Sequence, residues 1–132
     1  MKYIDPFGKE FDNCLPIKIK AMAKPRMIKS DAWKKKPVVL KYWQYKKELL
    51  LQLPTDFVMP DHGYHLIFYF LPAAYHSKSI REKMYYTPHR QTPDKDNLEK
   101  AFLDCTCEND AYIYHGEVSK WWGEEDEIRL FY

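Results

Sequence analysis

The chain has 132 residues, of which 45% are hydrophobic and 17% aromatic, with 21 Lys+Arg against 19 Asp+Glu and a formal net charge of +2. That length and apolar content fit one folded domain and exclude a disordered chain, and no apolar run reaches the ~18–20 residues of a bilayer span. The near-neutral total hides a segregation: Lys18 to Lys47 carries a balance of +10 and Asp94 to Glu127 one of −8, which points to a polyanion partner or a charged tail.

Taken in chain order, residues 15–21 alternate Ile17, Ile19 and Ala21 with Lys18 and Lys20, the period-2 pattern of a half-exposed strand. Residues 23–37 hold two prolines and no period and read as a basic loop. After Pro37 an amphipathic helix places Val39, Tyr42, Trp43, Lys46, Leu49, Leu50 and Leu53 on one face and stops at Pro54. Residues 64–71, aromatic and aliphatic almost throughout, read as a central strand. A short helix is expected around Ser79 to Met84. Another begins near Asp96, with Leu98, Ala101, Phe102 and Cys105 on its apolar face. Tyr112 to Tyr114, Val118 to Trp122 and Glu127 to Tyr132 read as short strands, the first two joined as a hairpin around His115 and Gly116. The expected architecture is α+β: a single domain with a mixed β-sheet packed against two or three helices.

Three cysteines, Cys14, Cys105 and Cys107, form neither a disulfide framework nor a zinc pattern. Together with an N-terminus that lacks the apolar core of a secretory signal, they favour a reducing, cytoplasmic setting. His62, His65, His76 and His115 share no spacing that assigns them a role.

The chemistry-bearing segment is Asp94-Lys95-Asp96-Asn97-Leu98-Glu99-Lys100, followed by Asp104 and Asn109-Asp110. Asp94 and Asp96 alternate on an extended approach to the helix, a spacing that lets them share a face. Asp96, Lys100 and Asp104 recur at one-turn intervals opposite Leu98 and Phe102. Converging carboxylates repel unless a cation lies between them, and Mg²⁺, a hard ion that prefers carboxylate oxygens, is the natural candidate. A plainer reading stands beside it: Asp96-x-x-Glu99 is a capping-box helix start, and Lys100 with Asp104 an exposed i,i+4 pair. Spacing by itself leaves both open.

Four ordered segments carry a resemblance to a known family. They are the basic stretch from Lys24 through Pro25-Arg26-Met27 to Leu49, the segment Leu71 to Met84, the signature from Thr87 through His89 to Asp104, and Asn109 to Trp122. Together they resemble the RusA family of Holliday junction resolvases over most of the chain. The resemblance implies Asp94, Asp96 and Asp110 as metal-binding catalytic carboxylates and Lys100 as the catalytic lysine. It makes Asp104 a supporting acid at the rim, and His89 matches the motif's His, for a loop-ordering hydrogen bond or a phosphate contact; Lys120, between Ser119 and Trp121, reads as a supporting lysine pointing into the acidic site or as an exposed strand lysine. The family often has two adjacent Asp where this chain has Asn109-Asp110, so Glu108 stands as an alternative third ligand.

What this implies is an Mg²⁺-dependent endodeoxyribonuclease, with Mn²⁺ as a substitute, that nicks four-way junctions in pairs as a homodimer, in recombination and repair of bacterial or phage DNA. Lys24, Arg26, Lys29, Lys34, Lys35, Lys36 and Lys46 are the expected DNA contacts, each phosphate contact adding a counterion-release term. Trp33, Tyr42, Trp43 and Tyr45 are placed to stack on unpaired bases, although helical spacing puts Tyr42 and Trp43 in the core. Glu124 to Glu127 reads as a solvated turn. A structure-selective nuclease for flaps or forks and a non-catalytic DNA-binding module are the alternatives; a protein-interaction domain is disfavoured by the basic stretch.

Overall fold

The strand Tyr64–Phe70 (β4) buries all seven of its side chains, as a run of aromatic and aliphatic residues does when both faces of a sheet are covered. In the computed structural model, which describes residues 2–25 and 37–132, it lies inside a four-stranded sheet of order β3-β6-β4-β5. The other members are Cys14–Ile17 (β3), Gly116–Trp122 (β5) and Glu127–Phe131 (β6). β3 and β4 each pair antiparallel to β6, and β4 pairs parallel to β5. The sheet is therefore mixed, as expected for this α+β chain.

Alternation along β4 divides the core. Tyr64, Leu66, Phe68 and Phe70 point to one face, where helices Pro37–Gln52 (α1) and Lys95–Thr106 (α3) supply Tyr42, Tyr45, Leu49, Leu98, Ala101 and Phe102. Ile67 and Tyr69 point to the other, where they meet Phe11 and Phe131. That second face is covered by a hairpin of Tyr3–Ile4 (β1) and Glu10–Phe11 (β2), a feature the sequence pattern did not signal because its strands are two residues long. A third helix, Lys78–Met84 (α2), buries no residue and starts at Ser77, whose hydroxyl accepts the Ile80 N–H. Among the described residues no helix is long and apolar enough to cross a membrane.

Three expectations change. Residues 112–114 form no strand: the segment turns after α3 and hooks onto residues 61–63 through Tyr114 N–H to Asp61 O and Gly63 N–H to His115 O. β5 then pairs parallel to β4, so no hairpin joins it to the preceding residues. In α1 the buried residues are Val39, Tyr42, Tyr45 and Leu49, whereas Trp43 is 46% exposed and Leu50 nearly as much. The helix packs across α3 on one narrow stripe, so Tyr45 takes the place assigned to Trp43. Strand pairing ends at Ile17, yet Ile19 and Ala21 remain buried while Lys18 and Lys20 stay exposed. Side-chain alternation there outlasts the hydrogen-bonded ladder.

Candidate active site

α3 delivers the acidic motif. Its N-cap is Asp94, in an extended conformation, and Asp96 already lies in the first helical turn. The two are thus not alternating residues of one extended segment. The capping box does not form either. Asp94 makes no side-chain cap hydrogen bond, Asp96 Oδ1 accepts only the adjacent Asn97 N–H at 3.0 Å, and Glu99 turns to Tyr64, whose hydroxyl donates to Glu99 Oε2 at 2.9 Å. Burial and that hydrogen bond push the Tyr64 hydroxyl well above its ordinary pKa. Asp94 and Asp96 are exposed and have no cationic partner among the described residues.

Asp110 arrives from the far end of α3, whose twelve residues span ~18 Å. Beyond the C-cap at Cys107 the chain reverses: Asn109 Oδ1 accepts the Ala111 N–H at 2.9 Å, and Asp110 O accepts the Ile113 N–H at 3.0 Å. The turn brings Asp110 beside the middle of α3, into a cavity of about 390 Å³ shared with Tyr64, Glu99, Leu103, Tyr114, His115 and Gly116. Gly116 is required there, because a Cβ would lie 2.1 Å from Tyr64 Cζ. The expected set therefore falls in two parts, Asp94 and Asp96 at the start of the helix and Asp110 with Glu99 one turn along. Glu99 was not singled out by the motif; its i,i+3 relation to Asp96 is the signal that places both on one helical face. Glu108 is exposed and lines no part of that cavity.

Lys100 is exposed and has no acidic partner among the described residues, because Asp104 pairs instead with Lys24 at 3.0 Å. The expected Lys100–Asp104 pair is replaced by a tie between the end of the N-terminal segment and α3. Lys120 donates to Gln91 O at 2.5 Å and Pro93 O at 2.8 Å, holding the two carbonyls just before Asp94. His89 is buried between Phe70 and Trp122, with ring centroids 4.5 and 4.3 Å away, and its backbone N–H bonds Lys120 O. Its Nδ1 has no partner among the described residues, and burial, aided by the Lys120 charge, holds its pKa below the ordinary value. Both residues thus act on the segment 87–93 that carries the chain into the motif.

Of the expected DNA contacts, Lys24 is committed to Asp104, and Lys46 lies half-buried with its Nζ 5.8 Å from the Trp43 ring. Arg26, Lys29, Lys34, Lys35, Lys36 and Trp33 lie outside the described residues. Glu124 to Glu127 is not simply a solvated turn: Glu127 is buried, receives a two-pronged bond from Arg129 at 3.1 and 3.0 Å, and lies 3.3 Å from Lys18.

Among the described residues, one group of three potential ligands brings its donor atoms within 4.8 Å of one another: Asp5, His65 and Glu117. Asp5 carries no sequence signal, and His65 none beyond being an ionisable residue in the apolar run of β4. The exposed Asp94, Asp96 and Asp110, by contrast, offer carboxylate oxygens with no cationic partner among the described residues, the donor type a hard divalent cation takes.

The family model described as endodeoxyribonuclease RusA matches residues 16–130. No curated protein and no solved structure matches the chain.

Proposed function

Since the chain belongs to the RusA endodeoxyribonuclease family, we propose that residues 1–132 act as one Mg²⁺-dependent nuclease unit that resolves four-way DNA junctions by paired nicking. The observation that carries this reading is the state of the motif's acids. Asp94 stands exposed at the start of α3 without a side-chain cap bond, neither it nor Asp96 has a cationic partner among the described residues, and Asp110 is folded back along the same helix. An N-cap Asp retained only as a cap would accept the N–H of the second or third helical residue, and Asp94 does not.

In this reading Asp94, Asp96 and Asp110 hold Mg²⁺, with Mn²⁺ as a substitute. The bound ion supplies a more acidic water and neutralises charge on the phosphoryl oxygens. Lys100, one turn from Asp96 and without an acidic competitor among the described residues, donates to the phosphate as negative charge builds on it. Lys120 and the stacked His89 are positioning residues that hold the segment leading to Asp94. The basic stretch from Lys18 to Lys47 tracks the DNA backbone.

Cutting two symmetry-related strands with one site per chain calls for a two-fold homodimer. The exposed apolar residues Leu40, Trp43, Leu50 and Leu51 along α1 support such an assembly; sedimentation at micromolar concentration tests it. The decisive experiment compares cleavage of four-way, three-way and linear duplex DNA, with and without Mg²⁺, mapped to the nucleotide. Asp96→Asn is expected to lower cleavage at least ~10²-fold, the several kcal/mol that a correctly held ion contributes, while junction binding is retained or tightened. Wild-type rates from that variant would end the assignment, and equal cutting of all branched substrates would replace it with a flap- or fork-selective nuclease.

A further inference from the structure

We propose that Asp5, His65 and Glu117 form a separate divalent-cation site, suited to an imidazole-binding ion such as Zn²⁺, on the sheet face opposite α1 and α3. The site owes nothing to the motif acids and stands whether or not they cut DNA.

Register creates it. In the parallel ladder His65 is paired with Glu117 and Ile67 with Ser119, so alternation puts the side chains of His65, Glu117 and Ser119 on one face. The N-terminal hairpin then lays Asp5 over them. His65 Nδ1 is 2.7 Å from Asp5 Oδ2 and 4.0 Å from Glu117 Oε2. Ligands ~2.0–2.2 Å from one ion stand roughly 3 to 4.2 Å from each other, so these separations need only small side-chain adjustments.

The supporting contacts are those of a metal-binding histidine. His65 Nε2 lies 2.7 Å from Ser119 Oγ, and that oxygen also accepts the Trp121 Nε1–H at 2.9 Å. Without an ion, Nδ1–H donates to Asp5 Oδ2; with one bound, that proton would leave and an Nε2–H donated to Ser119 would hold the Nδ1 lone pair on the ion, the orientation that outer contacts impose on ligating imidazoles. Asp5 is fixed in turn: its Oδ1 accepts the N–H groups of Phe7 at 3.0 Å and Lys9 at 2.8 Å, which leaves Oδ2 for the ion. Phe7 stacks on the His65 ring at 5.7 Å.

Access comes from the remaining wall. Asp5 and His65 are buried, but the Glu117 side chain is 49% exposed and opens on a cavity of about 540 Å³ that Lys9 and Lys95 also line. The imidazole nitrogen in the donor set favours Zn²⁺ over Mg²⁺. A buried Asp–His pair that merely pins the hairpin to the sheet would account for Asp5 and His65. It needs neither the third carboxylate nor the cavity. Asp5 also precedes residue 16, where the family match begins, so the hairpin adds this ligand from outside the matched region.

The test is metal binding by the full chain, read by Zn²⁺ calorimetry and by the visible absorption of Co²⁺. Wild type is compared with Glu117→Gln, His65→Gln and Asp96→Asn. Glu117 is a surface substitution that leaves the fold intact, as circular dichroism would verify. The expected result is a Co²⁺ band present in wild type and Asp96→Asn and lost in Glu117→Gln and His65→Gln, with Zn²⁺ affinity reduced at least ~10-fold in Glu117→Gln. Absence of Zn²⁺ and Co²⁺ binding by wild type, wild-type affinity in Glu117→Gln, or loss of the band in Asp96→Asn overturns the proposal. The readout is ion uptake, so its failure is separate from any failure to cut DNA.

Discussion

Asp94, Asp96 and Asp110 stand without a cationic partner among the described residues, while Glu125 and Glu127, from the same acidic half of the chain, are tied to Lys18 and Arg129. Composition counts the two groups alike. The fold separates them through what lies opposite: β3 ends beside the start of β6, so Lys18 meets the acids that open that strand, whereas Lys120, the β5 cation beside the start of α3, bonds the carbonyls of Gln91 and Pro93. Asp126 is likewise used internally, its carboxylate accepting the Leu71 N–H at 2.9 Å. One acidic group therefore contributes to holding the fold, and the other has no such partner among the described residues.

If that division is right, substitutions in the two groups fail in different assays. Lys100→Ala, in the exposed group, is expected to lower the cleavage rate ~10²–10³-fold, the scale of losing one donor to a developing oxyanion, with the urea midpoint unchanged. Glu127→Ala should do the reverse. It removes a buried, two-pronged partner of Arg129 and is expected to cost about 2 kcal/mol in urea unfolding, with the specific activity of the folded fraction retained. A smaller effect is expected at the junction of the two regions: Lys120→Met releases the carbonyls of Gln91 and Pro93 and should lower kcat ~10-fold through misplacement of Asp94, with junction affinity little changed.

The smallest effect is pH dependence. His89 is buried with a pKa below its ordinary 6.5, so below about pH 6.5 the unfolded chain takes up a proton that the folded chain refuses. Its contribution is complete above that pH and is lost as the pH falls toward the folded value. Urea unfolding at pH 7.5 and 5.5 should show less loss in His89→Phe than in wild type. An equal loss in both would remove His89 as the source.

Much of the scaffold was legible because periodicity reports burial. The apolar run at 64–71 became the central strand, Leu98, Ala101, Phe102 and Cys105 became the buried stripe of α3, and Pro37 and Pro54 bracketed α1. The motif acids were legible as a group because they cluster in sequence. What the pattern could not contain was partnership between residues far apart. That Asp104 pairs with Lys24 rather than with Lys100, that Glu99 bonds Tyr64 rather than capping α3, and that residues 112–114 hook onto residues 61–63 instead of forming a strand all follow from long-range contacts.

The sequence by itself thus determined the α+β class and the family and marked out one acidic segment as the candidate site, because each depends on residues close in the chain. Only the tertiary structure decided which charges are spent on stability and which remain available. It also decided that Asp5 meets His65 across sixty positions and Glu117 across the β4–β5 ladder. Those outcomes depend on strand register and on a two-stranded hairpin folding over the sheet, and neither leaves a local period to read.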